Sequence, residues 1–237
     1  MTKEQKMIKE LENYDSGTVS NAVATYPADK ENCLGLYEPS ETYWYTDQDI
    51  RCIYPELGPR CGYVVTVVYG KPDPKYGRLG FGDLLKAIVA TPKPVILILK
   101  QNFGKALGRK NALLGGNMMT AFRQTGVAGV LCDGPVRDYR EMKELGIQCL
   151  STGLAPGHGV MEIQAINVPV RICSMDVCPG EMVHMDENGA VKFPVHMLEQ
   201  VLDRSRKTIE DETIKQSRMK QETSPEKLAA AMKGIYK

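Results

Sequence analysis

Apolar and polar positions follow two different periods along this chain, and the change from one to the other divides it. Met7, Ile8 and Leu11 stand among charged residues at helical spacing and predict an amphipathic helix over residues 4–13. Thr18 is placed to cap a second helix over residues 19–25. Residues 26–59 are rich in Pro, Gly, Asp and Tyr and show little period, which predicts a long loop of the kind that serves as a lid or interface segment. Apolar runs at 63–69 and 94–99 predict strands around a helix at 81–89, and a further helix at 117–124 leads to a strand at 127–132. Beyond residue 145 the pattern shortens to β-segments at 148–152, 161–166, 170–173, 181–185 and 190–193. An α/β layout followed by a strand-rich half predicts layered sheets in one domain over residues 1–194.

Residues 195–237 are charged and helical, with Leu198, Val201 and Leu202 on one stripe, continued less cleanly by Ile209 and Thr213. Pro225 opens a second short helix there. Such an extension either presents a solvated face or packs on a neighbouring subunit.

Candidate chemistry concentrates where the apolar run Val127-Ala128-Gly129-Val130-Leu131-Cys132 ends in Asp133-Gly134-Pro135-Val136-Arg137-Asp138. A buried strand closed by a Gly-Pro turn carries a guanidinium and a carboxylate to its end, where α/β proteins build sites. Arg offers a planar fork for carboxylate or carbonyl oxygens, and Asp offers oxygen to a hard metal ion. An exposed Arg-Asp pair on a turn is the competing reading of that dipeptide.

The balance of 30 Lys and Arg against 29 Asp and Glu argues against a nucleic-acid surface as the main function. No apolar stretch approaches the roughly 20 residues of a membrane span, and Met1-Thr2-Lys3-Glu4 begins no signal-peptide core, so a cytoplasmic protein is expected. The seven cysteines form no C-x-x-C pair and are expected as buried free thiols. His158, exposed in a turn by glycines on both sides, is the most site-like of the three histidines, although a surface-loop role is the favoured reading, and His184 and His196 are expected to be structural. Asp73, Asp83 and Glu162 could each be ligands, but ordinary charged loop residues are the default reading. The segment 153–159 contains a Pro and opens no helix, so it is no dinucleotide fingerprint.

Beyond these local patterns, several segments together resemble the RraA-like family, which includes the class II 4-hydroxy-4-methyl-2-oxoglutarate / 4-carboxy-4-hydroxy-2-oxoadipate aldolases and the regulators of ribonuclease E. They are Asp15-Ser16-Gly17-Thr18-Val19-Ser20-Asn21-Ala22, Gly62-Tyr63-Val64-Val65-Thr66-Val67, Leu113-Leu114-Gly115-Gly116-Asn117-Met118-Met119-Thr120-Ala121, the Asp133 to Asp138 motif, and Val177-Cys178-Pro179-Gly180-Glu181 with the strand after Asp186. The resemblance implies an α/β/β sandwich of swivelling topology. It also implies a lyase that breaks a carbon–carbon bond next to an α-keto acid, by retro-aldol cleavage or oxaloacetate decarboxylation, through pyruvate enolate. Asp138 would hold Mg²⁺ or Mn²⁺ largely through water, and Arg137 would bind keto or carboxylate oxygens. Backbone N–H groups of Asn117, Met118 and Met119, following Gly115 and Gly116, would seat the substrate carboxylate. The active unit would be a homotrimer or a hexamer, and among Glu210, Asp211 and Glu212 the last best matches an acidic position contributed by a neighbour. Two positions depart from the family pattern: Gly115-Gly116-Asn117 lacks the acidic residue many aldolases carry in that loop, and Asn21 replaces a common Asp. The other functional class in the family is a non-catalytic regulator that binds an RNA-processing or other partner. Such relatives can lack the acid after the Arg, whereas Asp138 is present here.

Overall fold

A run of β-branched residues that can be buried on both faces needs helices and a second β-layer to cover it, and the chain supplies both. The computed structural model describes residues 1–26, 33–75 and 78–233. In order, the elements are α1 (Lys3–Leu11), α2 (Ser16–Val23), β1 (Arg51–Cys52), β2 (Arg60–Gly70), α3 (Phe81–Ala90), β3 (Val95–Asn102), α4 (Lys105–Gly108), α5 (Gly116–Gln124), β4 (Val127–Cys132), α6 (Tyr139–Glu144), β5 (Gln148–Ser151), β6 (Glu162–Ile166), β7 (Val170–Ile172), β8 (Met175–Val177), β9 (Met182–Asp186), β10 (Gly189–Phe193), α7 (Leu198–Met219) and α8 (Pro225–Met232).

Strands β1-β5-β4-β3-β2-β9-β10 form one mixed sheet, and β6 adds to β2 beside β9. The inner strands β2, β3, β4 and β5 run parallel, so each connection between them crosses one face. That face is covered by α3, α5 and α6, with Leu84, Ile88, Met119, Phe122 and Met142 packed on Val65, Leu97 and Val130. The opposite face, with Ile96, Ile98 and Leu131, is covered by the β7–β8 hairpin and by Val183 and Met185 of β9. Gly129 allows this second layer to approach: a Cβ there would lie 2.8 Å from both Ile96 Cδ1 and Met185 Sδ. The sheet thus curls until it nearly closes. The result is the expected α/β class, helices on one side and β-structure folded over the other.

A third apolar cluster joins α1, α2 and the first half of α7 around Trp44 and Phe193. Arg206 of α7 grips Glu10 of α1 through two hydrogen bonds of 2.7 Å. Further along α7, Ile209 and Ile214 are exposed.

Some local expectations are corrected. The second helix starts at Ser16 because Asp15, not Thr18, is its cap, accepting from Thr18 N at 2.6 Å. Residues 26–59 are irregular but not a loose lid, since Trp44, Ile50 and Tyr54 are buried; of that stretch, 27–32 lie outside the described residues. All seven cysteines are free, yet only Cys61, Cys132 and Cys149 are fully buried, and Cys178 is exposed.

His184 is structural, as expected. It is fully buried, with Nδ1 2.9 Å from Ser16 Oγ and Nε2 3.3 Å from Leu11 O, and the Asp186 carboxylate beside it accepts from Ser16 N at 2.6 Å. Burial holds the imidazole below its ordinary 6.5, against the pull of Asp186, Glu12 and Asp15. The unfolded chain therefore takes up a proton, as pH falls below 6.5, that the folded chain refuses. Stability contributed this way is complete above that pH and is lost below it, at up to about 1.4 kcal/mol per pH unit. Urea unfolding at pH 8, 6 and 5 is expected to show the midpoint falling, with a shallower fall in His184→Phe; parallel pH dependence in the two proteins would exclude His184 as the cause.

Candidate active site

The end of β4 is tied down before it reaches the functional residues. Asp133 accepts from Gln101 N at 2.7 Å and from Lys100 Nζ at 2.6 Å, anchoring the turn to β3; burial pushes its pKa up, opposed by Lys100. Val136 then bridges both Leu114 and Leu154, and Arg137 N donates to Leu114 O at 3.0 Å. With backbone fixed on two sides, the next two side chains have little choice of direction.

Asp138 adopts φ 60°, ψ 40°, a left-handed conformation that costs a non-glycine residue roughly 1 kcal/mol. There it faces the start of α5, where its Oδ2 accepts from Gly116 N at 3.0 Å and lies 3.5 Å from Arg137 Nε. A Cβ on Gly115 would fall 2.6 Å from Asp138 Oδ2 and 3.1 Å from Arg137 Nε, so a side chain there would displace both groups. The two glycines permit the carboxylate to reach the helix start.

Arg137 and Asp138 line a cavity of about 200 Å³ with Asn117, Met118, His158 and Met161. This lies below the roughly 300–1,000 Å³ of sites for drug-sized ligands and suits a small organic acid. Of the expected backbone donors, Asn117 and Met118 lie in the first turn of α5, where N–H groups are free of helical partners. The Met119 N–H does not join them, because it bonds to Gly115 O at 3.0 Å as the first helical bond, and the Met119 side chain is buried in the core. Gly116 N is engaged by Asp138. The seat for an anion thus narrows to two N–H groups beside one guanidinium.

His158 sits in an exposed loop, as expected, but the loop folds so that the ring forms part of the cavity wall. His196 lies in the short turn of 3₁₀ helix ahead of α7. Asp83 and Glu162 are not loop residues: Asp83 lies in the first turn of α3, which it caps while pairing with Lys86, and Glu162 begins β6 and accepts from Asp73 N at 3.0 Å, so both have structural partners.

Glu212 lies elsewhere in the same chain, lining a second cavity of about 210 Å³ with Asn21, Thr208, Asp211 and Lys215. Glu210 occupies the same stretch of α7. Among the described residues no three His, Cys, Asp or Glu side chains are grouped to cage a metal ion. A carboxylate at a helix start beside open cavity space suits a water-rich Mg²⁺ or Mn²⁺, which needs only one or two protein carboxylates, and does not suit zinc. Sequence reasoning missed Glu141, which α6 places against Gly116. Its spacing of three from Asp138 was the available signal, but a six-residue helix gives too little period to be seen.

Residues 29–192 match the RraA-like family, described as Aldolase/RraA, and the chain belongs to that family. A 4-hydroxy-4-methyl-2-oxoglutarate aldolase of Thermus thermophilus is 34% identical over 86 residues, which are 36% of this chain and 52% of that protein. The chain therefore spans about half the length of that relative. Among solved structures, an uncharacterized protein of Pseudomonas syringae superposes with a TM-score of 0.70 at 18% identity, covering 96% of this chain and 93% of the other. A Streptomyces coelicolor member of the RraA family of RNase ES inhibitors gives 0.64 at 19%, covering 90% and 96%. Both establish the shared fold. No helix among the described residues is long and apolar enough to cross a membrane.

Proposed function

We propose that the chain is a divalent-metal-dependent carbon–carbon lyase that releases pyruvate from a small hydroxylated α-keto acid, or decarboxylates oxaloacetate. The observation that carries this reading is the convergence of Arg137 and the left-handed Asp138 on the start of α5 at one wall of a small cavity. Membership of a family described as Aldolase/RraA supports it, as does the name of the Thermus relative.

The substrate carboxylate would be held by the N–H groups of Asn117 and Met118, and its keto oxygen would face the Arg137 guanidinium, which offsets charge as the enolate forms. Asp138 would hold Mg²⁺ or Mn²⁺ through water; the ion supplies Lewis-acid stabilisation of that same charge. Glu212 would come to this site from a neighbouring copy in a trimer or hexamer, because within one chain it lines a different cavity. A purely protein-binding regulator has no use for a carboxylate held in a strained conformation beside an arginine, so Asp138 favours the catalytic reading over the regulatory one.

The direct test follows pyruvate release from hydroxy-keto acids and from oxaloacetate, with Mg²⁺ or Mn²⁺ and with excess EDTA. Turnover is expected only with the cation, since a lone guanidinium cannot replace a chelated ion. Full turnover in EDTA would refute metal dependence. Borohydride with pyruvate is expected to leave the protein mass unchanged, because among the described residues no lysine lines the cavity.

A further inference from the structure

Beside the anchor for a pyruvyl group, the walls of the site set the chemistry of the substrate's other half. Arg137 and Asp138 are shared by two spaces. One is the cavity of about 200 Å³, lined also by Leu114, Met118 and Met161; the other is more open, about 260 Å³, and lined by Tyr139, Leu154 and Pro156. Among the described residues neither holds a Lys or Arg besides Arg137. The His158 imidazole carries no permanent charge, and its Nδ1 lies 3.2 Å from Gly159 O. With Arg137 occupied by the pyruvyl oxygens, a second carboxylate on the substrate would find no fixed cation of this chain, and an unpaired charge against apolar walls is costly. Those walls are held in place. Met118 and Met161 pack on the core, and their flexible thioethers adapt to an alkyl group. The loop that carries His158 is clamped on both sides, by Ala112 N donating to Gly157 O at 3.1 Å and by Gly159 N donating to Oδ1 of buried Asn111. Leu154 is bridged to Val136 by its backbone, and Tyr139 rests against Tyr54 with ring centroids 5.0 Å apart, yet both side chains stay exposed. An apolar ligand lying there would remove that surface from water.

We propose that the other half of the substrate is an uncharged alkyl group, so that the chain cleaves a 4-hydroxy-2-oxo acid with a single carboxylate to pyruvate and an aliphatic aldehyde. This rests on the lyase reading and selects retro-aldol cleavage over oxaloacetate decarboxylation. The C3–C4 bond breaks and its electron pair passes to C3 as the enolate. The C4 hydroxyl loses its proton to solvent and becomes the aldehyde carbonyl, and C3 takes a proton back from solvent.

The test compares kcat/KM for pyruvate release by the full chain, in Mg²⁺, from 4-hydroxy-2-oxopentanoate, 4-hydroxy-2-oxohexanoate and 4-hydroxy-2-oxoglutarate, which differ only in the methyl, ethyl or carboxylate group on C4. The pentanoate is expected to exceed the oxoglutarate by about tenfold or more. The hexanoate is expected to exceed the pentanoate about fourfold, the effect of one more buried methylene. His158→Arg and Leu154→Arg, both at exposed positions, each add a guanidinium to one of the two spaces. One of them is expected to narrow the gap between pentanoate and oxoglutarate about tenfold, which a change in folding alone would not do. Oxoglutarate cleaved as well as or better than the pentanoate would overturn the alkyl assignment and leave the lyase reading standing. Two folded variants that both keep the wild-type ratio would overturn the missing cation as its cause, and the proposal with it. No pyruvate from any of the three would also overturn the proposal, and turnover of oxaloacetate in the same assay would decide whether the lyase reading falls too.

Discussion

Pyruvate release by Asp138→Ala or Arg137→Lys is expected to fall on the order of 10²-fold or more, with folding retained. The expectation for Arg137 comes from shape. Its guanidinium sits 3.5 Å from Asp138 and opens into the cavity, and a planar fork there can hold two oxygens at once. An ammonium keeps the charge and loses the fork, so Arg137→Lys is damaging rather than conservative. For Asp138 the loss is double: alanine removes the oxygen proposed to face the cation and abandons the hydrogen bond from Gly116 N. Alanine is also strained at φ 60°, so Asp138→Asn is the cleaner companion, because asparagine tolerates the left-handed region. Both side chains are about one-third exposed, at 36% and 34%, and removal of either is expected to shift the unfolding midpoint far less than the rate. Initial rates in saturating Mg²⁺ and thermal melts on the same samples check both halves. Folded variants that retain wild-type turnover would remove Arg137 and Asp138 from the mechanism.

What the sequence disclosed about this site follows from the length of the elements that carry it. β3 and β4 are buried on both faces and read as continuous apolar runs, so the strand at 127–132 and the turn that ends it were legible to the residue. The pair at its end was legible because a Gly-Pro turn after a buried strand exposes whatever follows. The first helical bond of α5 was not legible. Whether Met119 N–H is free or bonded depends on where α5 starts, and a one-residue shift moves it from the anion seat into the helix. Asp15 was overlooked as a cap because Thr18 is also a good one, and only the fold brings Ser16 against Asp186 and His184. Glu141 and the cavity-facing side of His158 depend on tertiary placement of a six-residue helix and a glycine-flanked loop, for which periodicity carries no information. The resemblance to RraA-like proteins supplied the expected layering of the fold, which short strands β7 and β8 could not have announced by themselves.

Mixing two inactive variants is expected to create activity. Asp138→Ala abolishes the half of the site at the end of β4, and Glu212→Gln alters the half on α7, which lines a separate cavity with Asn21 and Lys215. If each site joins Asp138 of one copy to Glu212 of the next around a ring, the contact is head-to-tail, and a protomer can lose one half yet lend the other. With equal amounts exchanged at random, about one interface in four pairs an intact Asp138 with an intact Glu212, so about a quarter of wild-type turnover is expected. The exposed Ile209 lies one turn from Glu212 on the same helix and gives a neighbour an apolar side chain to cover. A solvated α7 makes the opposite forecast: Glu212→Gln alone stays near wild type, as surface substitutions do, and mixing changes nothing. Native mass spectrometry of the exchanged sample establishes that mixed oligomers are present before rates are compared. Absence of recovery in demonstrated mixed trimers would confine the whole site to one chain and remove Glu212 from it.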